Sequence, residues 1–165
     1  MTKAHSDDVA RAAASPSTEI RRATRDDAPA VAETFLASFG ATYDFPLAHT
    51  PEEVRGWVAS HLVPTTETWV AVAEGRVVAF MSLGDDFVEQ LYVAPGWTGG
   101  GIGSDLIELA KQRRPSGLRL YTFQVNEGAR RFYERHGFAA VWFGDGTKNE
   151  ERQPDVRYAW RPTST

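Results

Sequence analysis

Hydrophobic positions near the start of the chain follow helical spacing. Val31, Phe35 and Phe39 recur every four residues behind an acidic pair that can cap a helix, so a helix is predicted over 27–39. A short strand is predicted just before it, over 20–23. The chain therefore begins its regular structure with a strand followed by an amphipathic helix.

A second helix is predicted from Pro51 to Leu62. Thr50 suits the N-cap, proline is tolerated at the first helical position, and two glutamates follow where the helix dipole favours negative charge. The loop between the two helices, residues 42–46, carries Tyr43 and Phe45 and is too aromatic for a simple linker.

Strand-like alternation dominates the next part of the chain. Strands are predicted over 69–73 and 76–83, joined by Glu74-Gly75 as a tight hairpin turn, and then over 87–93. Strict alternation along the third strand places one set of side chains on a single face. That set is Phe87, Glu89, Leu91 and Val93.

A glycine-dense turn separates these strands from the last part of the chain. A helix over 102–113 and a strand over 118–125 predict a strand–helix–strand unit with parallel pairing. A further helix over 127–135 and two strands, over 139–143 and 156–160, complete the pattern. No internal repeat interrupts it.

The composition is that of one ordinary globular domain. With 165 residues there is room for one sizeable core, predicted over 19–165 behind a tail at 1–18 that lacks a signal-peptide core. A net charge of -4 disfavours nucleic acid and anionic membranes as partners. The longest apolar runs are too short to cross a bilayer, so a cytoplasmic protein is expected.

The residue types also limit the chemistry. The chain has no cysteine, which excludes disulfides, thiolate nucleophiles and cysteine-based zinc sites. Its 4 histidines are scattered and form no helical metal-binding pair, so no metal is expected. A reaction that passes through a cysteine-bound intermediate is therefore ruled out.

The glycine-rich turn is a candidate anion site. It lies between a strand and a helix, where backbone N–H groups and the helix dipole converge, and a pyrophosphate suits such a place. The ordinary alternative is a turn that merely needs glycine. A dinucleotide fingerprint begun at Gly101 reaches Leu106 where glycine is required, and no lysine follows for a P-loop, so nicotinamide and ATP sites are disfavoured.

Two segments carry a family resemblance. Residues 91–104, LYVAPGWTGGGIGS, resemble the acetyl-CoA motif of the GNAT superfamily, Gln/Arg-x-x-Gly-x-Gly/Ala after a Leu-Tyr-Val-like strand end. Gly101 and Gly103 match, whereas Thr98 replaces the family's Gln or Arg and removes one side-chain contact. Residues 126–138, NEGARRFYERHGF, resemble the family's Asn-x-x-Ala-x-x-Phe-Tyr-x-x-x-Gly-Phe helix.

The resemblance covers roughly 20–161 and implies a mixed α+β fold, the GNAT fold. Its expected core is a mostly antiparallel, twisted sheet of six or seven strands with one parallel, splayed pair and about four flanking helices. The predicted order of strands and helices matches that fold independently. Such folds often form dimers through their last strands or helices, which leaves a homodimer open.

The resemblance further implies acetyl-CoA as co-substrate, with its pantetheine arm between the splayed strands. The amides of Leu91 and Val93 would pair with this arm, the glycine-rich turn would hold the pyrophosphate, and Asn126 would hydrogen-bond pantetheine or merely cap its helix. The implied cofactor-binding residues are Leu91, Tyr92, Val93, Thr98, Gly99, Gly100, Gly101, Ile102, Gly103, Ser104 and Asn126.

Two residues are candidates for catalysis. The resemblance implies Tyr133 as the acid that protonates the departing CoA thiolate, the ordinary alternative being a packed aromatic ring. Glu89 is the candidate base, although the acid of the histone-acetylating branch would fall at Phe87, and a solvated Glu89 is an equal alternative. Candidate substrate contacts, each with a structural alternative, are Tyr43, Phe45, Trp57, Trp97, Asp155 and Tyr158.

The functional hypothesis is acetyl transfer from acetyl-CoA to a primary amine of a small molecule or peptide, by direct attack in a ternary complex. A non-catalytic acyl-CoA-binding or regulatory module of the same fold is the alternative, and Tyr133 argues against it. A phosphate-binding enzyme of another fold is a third hypothesis. The sequence leaves the acceptor open among polyamines, antibiotics, amino acids and proteins.

Overall fold

A computed structural model describes residues 18–163 of the chain. They form seven strands and four principal helices in the order that the sequence predicts. The strands are β1 (Thr18–Arg22), β2 (Glu67–Ala73), β3 (Arg76–Leu83), β4 (Val88–Val93), β5 (Leu118–Phe123), β6 (Ala139–Gly144) and β7 (Asp155–Trp160). The helices are α1 (Ala28–Thr42), α2 (Pro51–Trp57), α3 (Ile102–Arg113) and α4 (Glu127–Arg135).

The strands divide into two antiparallel sheets. The first has the order β1-β2-β3-β4 and the second the order β5-β7-β6. The sheets meet at one parallel bridge between Phe87 and Arg119, where Arg119 N–H donates to the Asp86 carbonyl at 2.8 Å. Beyond this bridge β4 and β5 share no ladder, which confirms the predicted mixed α+β fold with one splayed parallel pair.

The predicted strict alternation along β4 is wrong at one place. Ser82 pairs with Gln90 but Leu83 pairs with Val88, so Glu89 is an extra residue in the β3–β4 ladder. Such a bulge shifts the pleat by one position, and Val88 therefore packs in the same apolar cluster as Leu91. The buried Val88 and the exposed Glu89 follow from this bulge.

The start of α2 confirms its predicted N-terminus. The Glu53 N–H donates to the Thr50 hydroxyl at 3.1 Å, and the Glu53 carboxylate accepts from the Thr50 N–H at 2.9 Å, which makes a capping box. The helix then continues through a π-helical turn, Val58–Leu62, and ends at Val63–Thr65. This end lies three residues beyond the predicted one.

Two apolar clusters lie on opposite faces of the first sheet. One packs α3 and the β5–β7 pair against it, with Met81, Leu106 and Tyr158 fully buried. The other packs α1 and α2 against it through Val31, Val58 and other residues. The helices on the two faces of the sheet thereby hold β4 in place.

Two further predictions concern the N-terminal tail and the absence of a membrane-spanning helix. The predicted tail at 1–18 lies outside them except for Thr18, which begins β1. Among the helices within 18–163, none combines the length and apolar character needed to cross a membrane.

Candidate active site

A large cleft of about 1490 Å³ opens where β4 and β5 separate. Its walls come from β4, the glycine-rich turn, the end of β5 and the first part of α4. Of the residues predicted to bind a cofactor, all except Gly100 and Ile102 line it, and Ile102 points into the core instead. The cleft is therefore the place that both sequence motifs share.

The backbone of β4 presents unpaired amides to this cleft. The Ala94 N–H donates to the Val78 carbonyl at 2.8 Å, which makes that pair a hydrogen-bonded one in the β3–β4 ladder. Because hydrogen-bonded and non-hydrogen-bonded pairs alternate, Leu91 and Val93 occupy the non-hydrogen-bonded pairs. Their N–H groups consequently point away from β3, toward the cleft.

The glycine-rich turn has a backbone that glycine makes accessible. Gly99 and Gly101 have φ of 80° and 92°, a left-handed conformation that side-chain-bearing residues rarely adopt. Gly101 is the N-cap of α3 and no side chain caps this end, so the first amides of the helix are open to an anion. A Cβ at Gly103 would lie 3.4 Å from the Phe132 ring, so this glycine also allows α3 to approach α4 closely.

Asn126 caps α4 and holds a tyrosine in the cleft wall. Its Oδ1 accepts from the Ala129 N–H at 3.0 Å, and its Nδ2 donates to the Tyr43 hydroxyl at 2.8 Å. Burial raises the pKa of the Tyr43 phenol, against the effect of the Asn126 hydrogen bond. Asn126 thus caps the helix and also contacts Tyr43, while its hydrogen bond to pantetheine stays a prediction.

Tyr133 lies at the base of the cleft. Its ring is 8% exposed and packs edge-on against Phe138, with ring centroids 5.7 Å apart. Burial raises the pKa of the Tyr133 phenol, and no hydrogen-bonding partner within residues 18–163 reaches its hydroxyl. The side chain is thus a protonated donor that faces the cleft at neutral pH.

Glu89 lines the same cleft from the bulge in β4. Its carboxylate rests over Gly84, where an added Cβ would meet Oε1 at 2.6 Å. A side chain at position 84 would therefore displace this carboxylate from its present place. Glu89 is exposed, so its carboxylate is solvated.

The opposite rim of the cleft joins two distant loops. The backbone N–H of Ala48 donates to Glu151 at 3.1 Å, and the His49 ring contacts the Glu150 carboxylate. The Glu150 contact raises the pKa of the His49 imidazole. Residues 101 to 103 apart make these contacts, so no local sequence pattern could have predicted them.

The candidate substrate contacts divide between cleft and core. Tyr43, Trp57, Trp97 and Asp155 line the cleft. Tyr158 is instead fully buried in the core, where its hydroxyl donates to Glu134 at 2.7 Å. Phe45 packs against Tyr43 and Phe123 and lies outside the cleft lining. The positions of Tyr158 and Phe45 therefore fit the structural alternative that the sequence analysis gave for each of them.

Residues 18–163 contain no cluster of His, Asp or Glu able to hold a metal ion.

Known proteins share this architecture and these motifs. A sequence model described as the acetyltransferase (GNAT) domain matches residues 64–140. The chain is 31% identical over 123 residues to peptidyl-lysine N-acetyltransferase YiaC of Escherichia coli (strain K12), covering 74% of this chain and 84% of YiaC. The chain belongs to the GNAT acetyltransferase family.

Further GNAT proteins resemble it in sequence and in structure. Peptidyl-lysine N-acetyltransferase YjaB of Escherichia coli (strain K12) is 33% identical over 120 residues, which cover 72% of this chain and 80% of YjaB. The apo solution structure of YjaB superimposes with a TM-score of 0.72 at 28% identity, over 87% of this chain and 97% of that one. PaiA N-acetyltransferase of Thermoplasma acidophilum, solved in complex with coenzyme A, shares the fold with a TM-score of 0.66 at 20% identity, over 88% and 99% of the two chains.

These similarities confirm the predicted family, fold and activity. This GNAT protein is an acetyl-CoA-dependent N-acetyltransferase. The similarity in sequence reaches well beyond the two motifs, since it spans about three quarters of the chain.

Proposed function

We propose that this GNAT enzyme acetylates the ε-amino group of lysine in polypeptides, by direct attack on acetyl-CoA within a ternary complex. The similar proteins YiaC and YjaB are named peptidyl-lysine N-acetyltransferases, which supports a lysine acceptor. The chemistry rests on Tyr133, which lines the same cleft as Leu91 and Val93 and whose hydroxyl has no hydrogen-bonding partner among residues 18–163. The unit responsible is a single domain over 19–165.

Acetyl-CoA is proposed to bind across the cleft in an extended form. The N–H groups of Leu91 and Val93 pair with the amide groups of pantetheine as an added strand would. The amides of the glycine-rich turn, Thr98 to Ser104, bind the pyrophosphate at the uncapped start of α3. Asn126 supports this wall by fixing the start of α4. Its amide can bond to pantetheine only through the hydrogen of Nδ2 and the lone pair of Oδ1 that its two existing hydrogen bonds leave unused.

The reaction is a direct acyl transfer. The acceptor nitrogen forms a bond to the thioester carbonyl carbon, the C–S bond breaks, and the electron pair leaves with sulfur. Tyr133 gives its proton to this sulfur, and the burial that raises its phenol pKa also raises the proton affinity of a thiolate in the same cleft. With no cysteine in the chain, a thioester-linked intermediate has no residue to form on.

The amine must lose its proton before or during attack. Glu89 is the proposed base, because it lines the cleft on β4, the same strand whose amides are proposed to bind pantetheine. Replacement of this carboxylate by an amide, Glu89→Gln, is expected to lower kcat/KM by about 10²-fold. A full rate in that variant would assign deprotonation to water in the cleft.

Carboxylates on the acceptor side favour a cationic substrate. They come from α2, from β4, from the loop between β6 and β7 and from the first residue of β7, and they attract a lysine ammonium group before it is deprotonated. Trp57, 38% exposed, adds an aromatic face that can contact a cation. The carboxylates that line the cleft are Glu53, Glu89, Glu150, Glu151 and Asp155.

Initial rates with defined acceptors test this proposal. The assay follows CoA release and peptide mass for a peptide with one lysine, its lysine-to-arginine twin, and a free polyamine. We expect acetyl incorporation on the lysine peptide alone, with intersecting double-reciprocal plots that indicate a ternary complex. Acetylation of the polyamine in preference to the peptide would overturn the proposal that the acceptor is a lysine in a polypeptide. Parallel double-reciprocal plots would overturn the proposal of direct transfer in a ternary complex.

A further inference from the structure

A hydrogen-bonded chain of side chains connects the glycine-rich turn to α4. Ser104, in the first turn of α3, lies with its Oγ 3.0 Å from Nε2 of His136. The other ring nitrogen of His136, Nδ1, lies 3.3 Å from Oε1 of Glu108, one helical turn after Ser104. The imidazole is 18% exposed and packs on the Phe132 ring, with centroids 4.7 Å apart.

The partners of His136 fix its protonation pattern when the ring is neutral. Despite the opposing effect of its partial burial, hydrogen bonds from His136 and Lys111 hold the pKa of Glu108 below its ordinary value, so this carboxylate is ionised and only accepts. Nδ1 must then carry the ring proton, and Nε2 is left as an acceptor. Ser104 therefore donates its one hydroxyl hydrogen to His136 and has none for another group.

A second proton on His136 reverses this bond. Nε2–H then donates to the Ser104 oxygen, and the serine hydroxyl hydrogen becomes available to a third group. Ser104 lines the cleft beside the amides at the start of α3, so that third group is whatever anion lies there. Protonation also places a positive charge one side chain away from that anion.

We infer that His136 is a positioning residue for the cofactor, which links acetyl-CoA affinity to proton uptake by orienting the Ser104 hydroxyl toward the diphosphate. The inference rests on the proposed function, in which the glycine-rich turn holds the diphosphate. It adds a regulatory property that the two sequence motifs do not contain. In this enzyme CoA species bind more tightly when both ring nitrogens of His136 carry a proton.

The charged groups around His136 are few. Within residues 18–163, Glu108 and Lys111 of α3 are the charged side chains that contact this residue. The Lys111 ammonium donates to the His136 backbone carbonyl at 2.5 Å and pairs with Glu108 at 3.4 Å, so it does not bond the ring. Glu108 is thus the one carboxylate in contact with the imidazole.

The probe for the test is 3′-dephospho-CoA. The 3′-phosphate of CoA itself has a second pKa of about 6 and would add its own pH dependence, whereas a diphosphate diester stays ionised throughout. Its dissociation constant is measured by titration calorimetry from about pH 6 to about pH 8. The variants are His136→Gln and Ser104→Ala, and His61→Gln is the matched control. His61 stacks on Trp57 but does not itself line the cleft.

The wild type and His61→Gln are expected to bind about five- to tenfold more tightly at the acid end of this range. In His136→Gln the change in affinity with pH should fall below about twofold. Ser104→Ala should keep only the part of that change that comes from the positive charge on His136. A flat wild-type profile, or an unchanged profile in His136→Gln, would overturn the inference while leaving the proposed function in place. No binding by the wild type at any pH would overturn both.

Glu108→Gln is a second and independent variant. Glu108 is 56% exposed, so its replacement leaves the core intact and the protein folded. Without an ionised acceptor at Nδ1 the neutral ring is no longer restricted to one tautomer, so the pH dependence of binding should weaken. A wild-type pH dependence in this variant would contradict the chain from Glu108 through His136 to Ser104.

Discussion

Single residues in the same helix, α4, have different physical roles. Asn126 satisfies an amide at the start of the helix, whereas Tyr133 packs in the core and leaves only its hydroxyl to the cleft. Both belong to the segment that the sequence marks as a family motif. Their separate contributions are measurable, because one acts mainly on stability and the other on rate.

Tyr133→Phe tests the proton donor. Loss of the hydroxyl is expected to lower kcat by about 10²-fold and to leave acetyl-CoA affinity within about twofold, since the ring and its packing remain. Steady-state kinetics and calorimetry check the two values.

Tyr158→Phe is the matched control, because this buried tyrosine bonds Glu134 and lies outside the cleft lining. It should cost about 1 kcal/mol of stability and leave kcat within about twofold. An equal loss of kcat in the two variants would attribute the effect of Tyr133 to general destabilisation.

Asn126 can be divided into its two hydrogen bonds. Asn126→Ala removes the cap and is expected to lower the free energy of unfolding by about 1 kcal/mol. Asn126→Asp keeps an acceptor for the Ala129 N–H but loses the donor to Tyr43. The second variant should keep its stability and bind acetyl-CoA less tightly, as denaturation and calorimetry would reveal. Wild-type affinity in Asn126→Asp would limit this residue to its role as a cap.

The sequence predicts residues well where their role is local. Gly99 and Gly101 are recognisable because their left-handed backbone demands glycine wherever the rest of the chain lies. The Ser104–His136 contact, between residues 32 apart, depends on how α3 and α4 pack. Long-range contacts of this kind leave no pattern in a single sequence.

At the scale of elements, one ion-pair cluster fixes the end of α3 to the sheet. Glu67 at the start of β2 accepts hydrogen bonds from Arg113 and Arg114, and its carboxylate is 14% exposed. Arg113 makes the largest contribution to lowering the pKa of Glu67 to about 2, with Trp69 and Arg114 also acting against the effect of burial. Helix α3, which begins at the glycine-rich turn, is therefore anchored at its far end by charge.

Glu67→Gln tests this anchor through its pH dependence. Because the folded-state pKa lies below the ordinary value, the ion pairs stabilise the protein above about pH 4.5 and this contribution is lost as the pH falls toward 2. The variant should lose about 2 kcal/mol at neutral pH, about 4–8 °C in Tm, and should unfold with a weaker dependence on acid.

Glu33→Gln is the control, because Glu33 and Arg55 form an ion pair between side chains 60% and 48% exposed. Its effect should stay below about 0.5 kcal/mol. Thermal denaturation measures the loss of stability in both variants. Equal losses would contradict the anchoring role of Glu67.

Element boundaries follow from the sequence to within a few residues, with one instructive exception. Periods of two and 3.6 residues predict the elements that bury one face, and capping residues predict the start of α2, whereas β6 is exposed along nearly its whole length. The bulge at Glu89 escapes prediction, since it depends on the register with Ser82 and Leu83 of the neighbouring strand. That bulge decides which side chains of β4 reach the core and which reach the cleft.

At the level of the whole fold, the cleft exists because the two sheets join at one parallel bridge within residues 18–163. Strand divergence leaves amides of β4 without partners among these residues, and α3 and α4 bring the glycine-rich turn and Tyr133 into the lining of the same cleft. The sequence predicts this arrangement through family resemblance, since no local pattern encodes the separation of two strands. The acceptor side, formed by distant loops, is the part that the sequence leaves least defined.

Thermal unfolding of the wild type and of Gly101→Glu, each with and without acetyl-CoA, tests whether this cleft binds acetyl-CoA. Acetyl-CoA at about 100 times its dissociation constant should stabilise the wild type by about 2.7 kcal/mol, a rise in Tm of several degrees. Glutamate at position 101 puts a side chain and a negative charge at the start of α3, so the variant should show no rise. An equal rise in both proteins, or none in the wild type, would contradict the account.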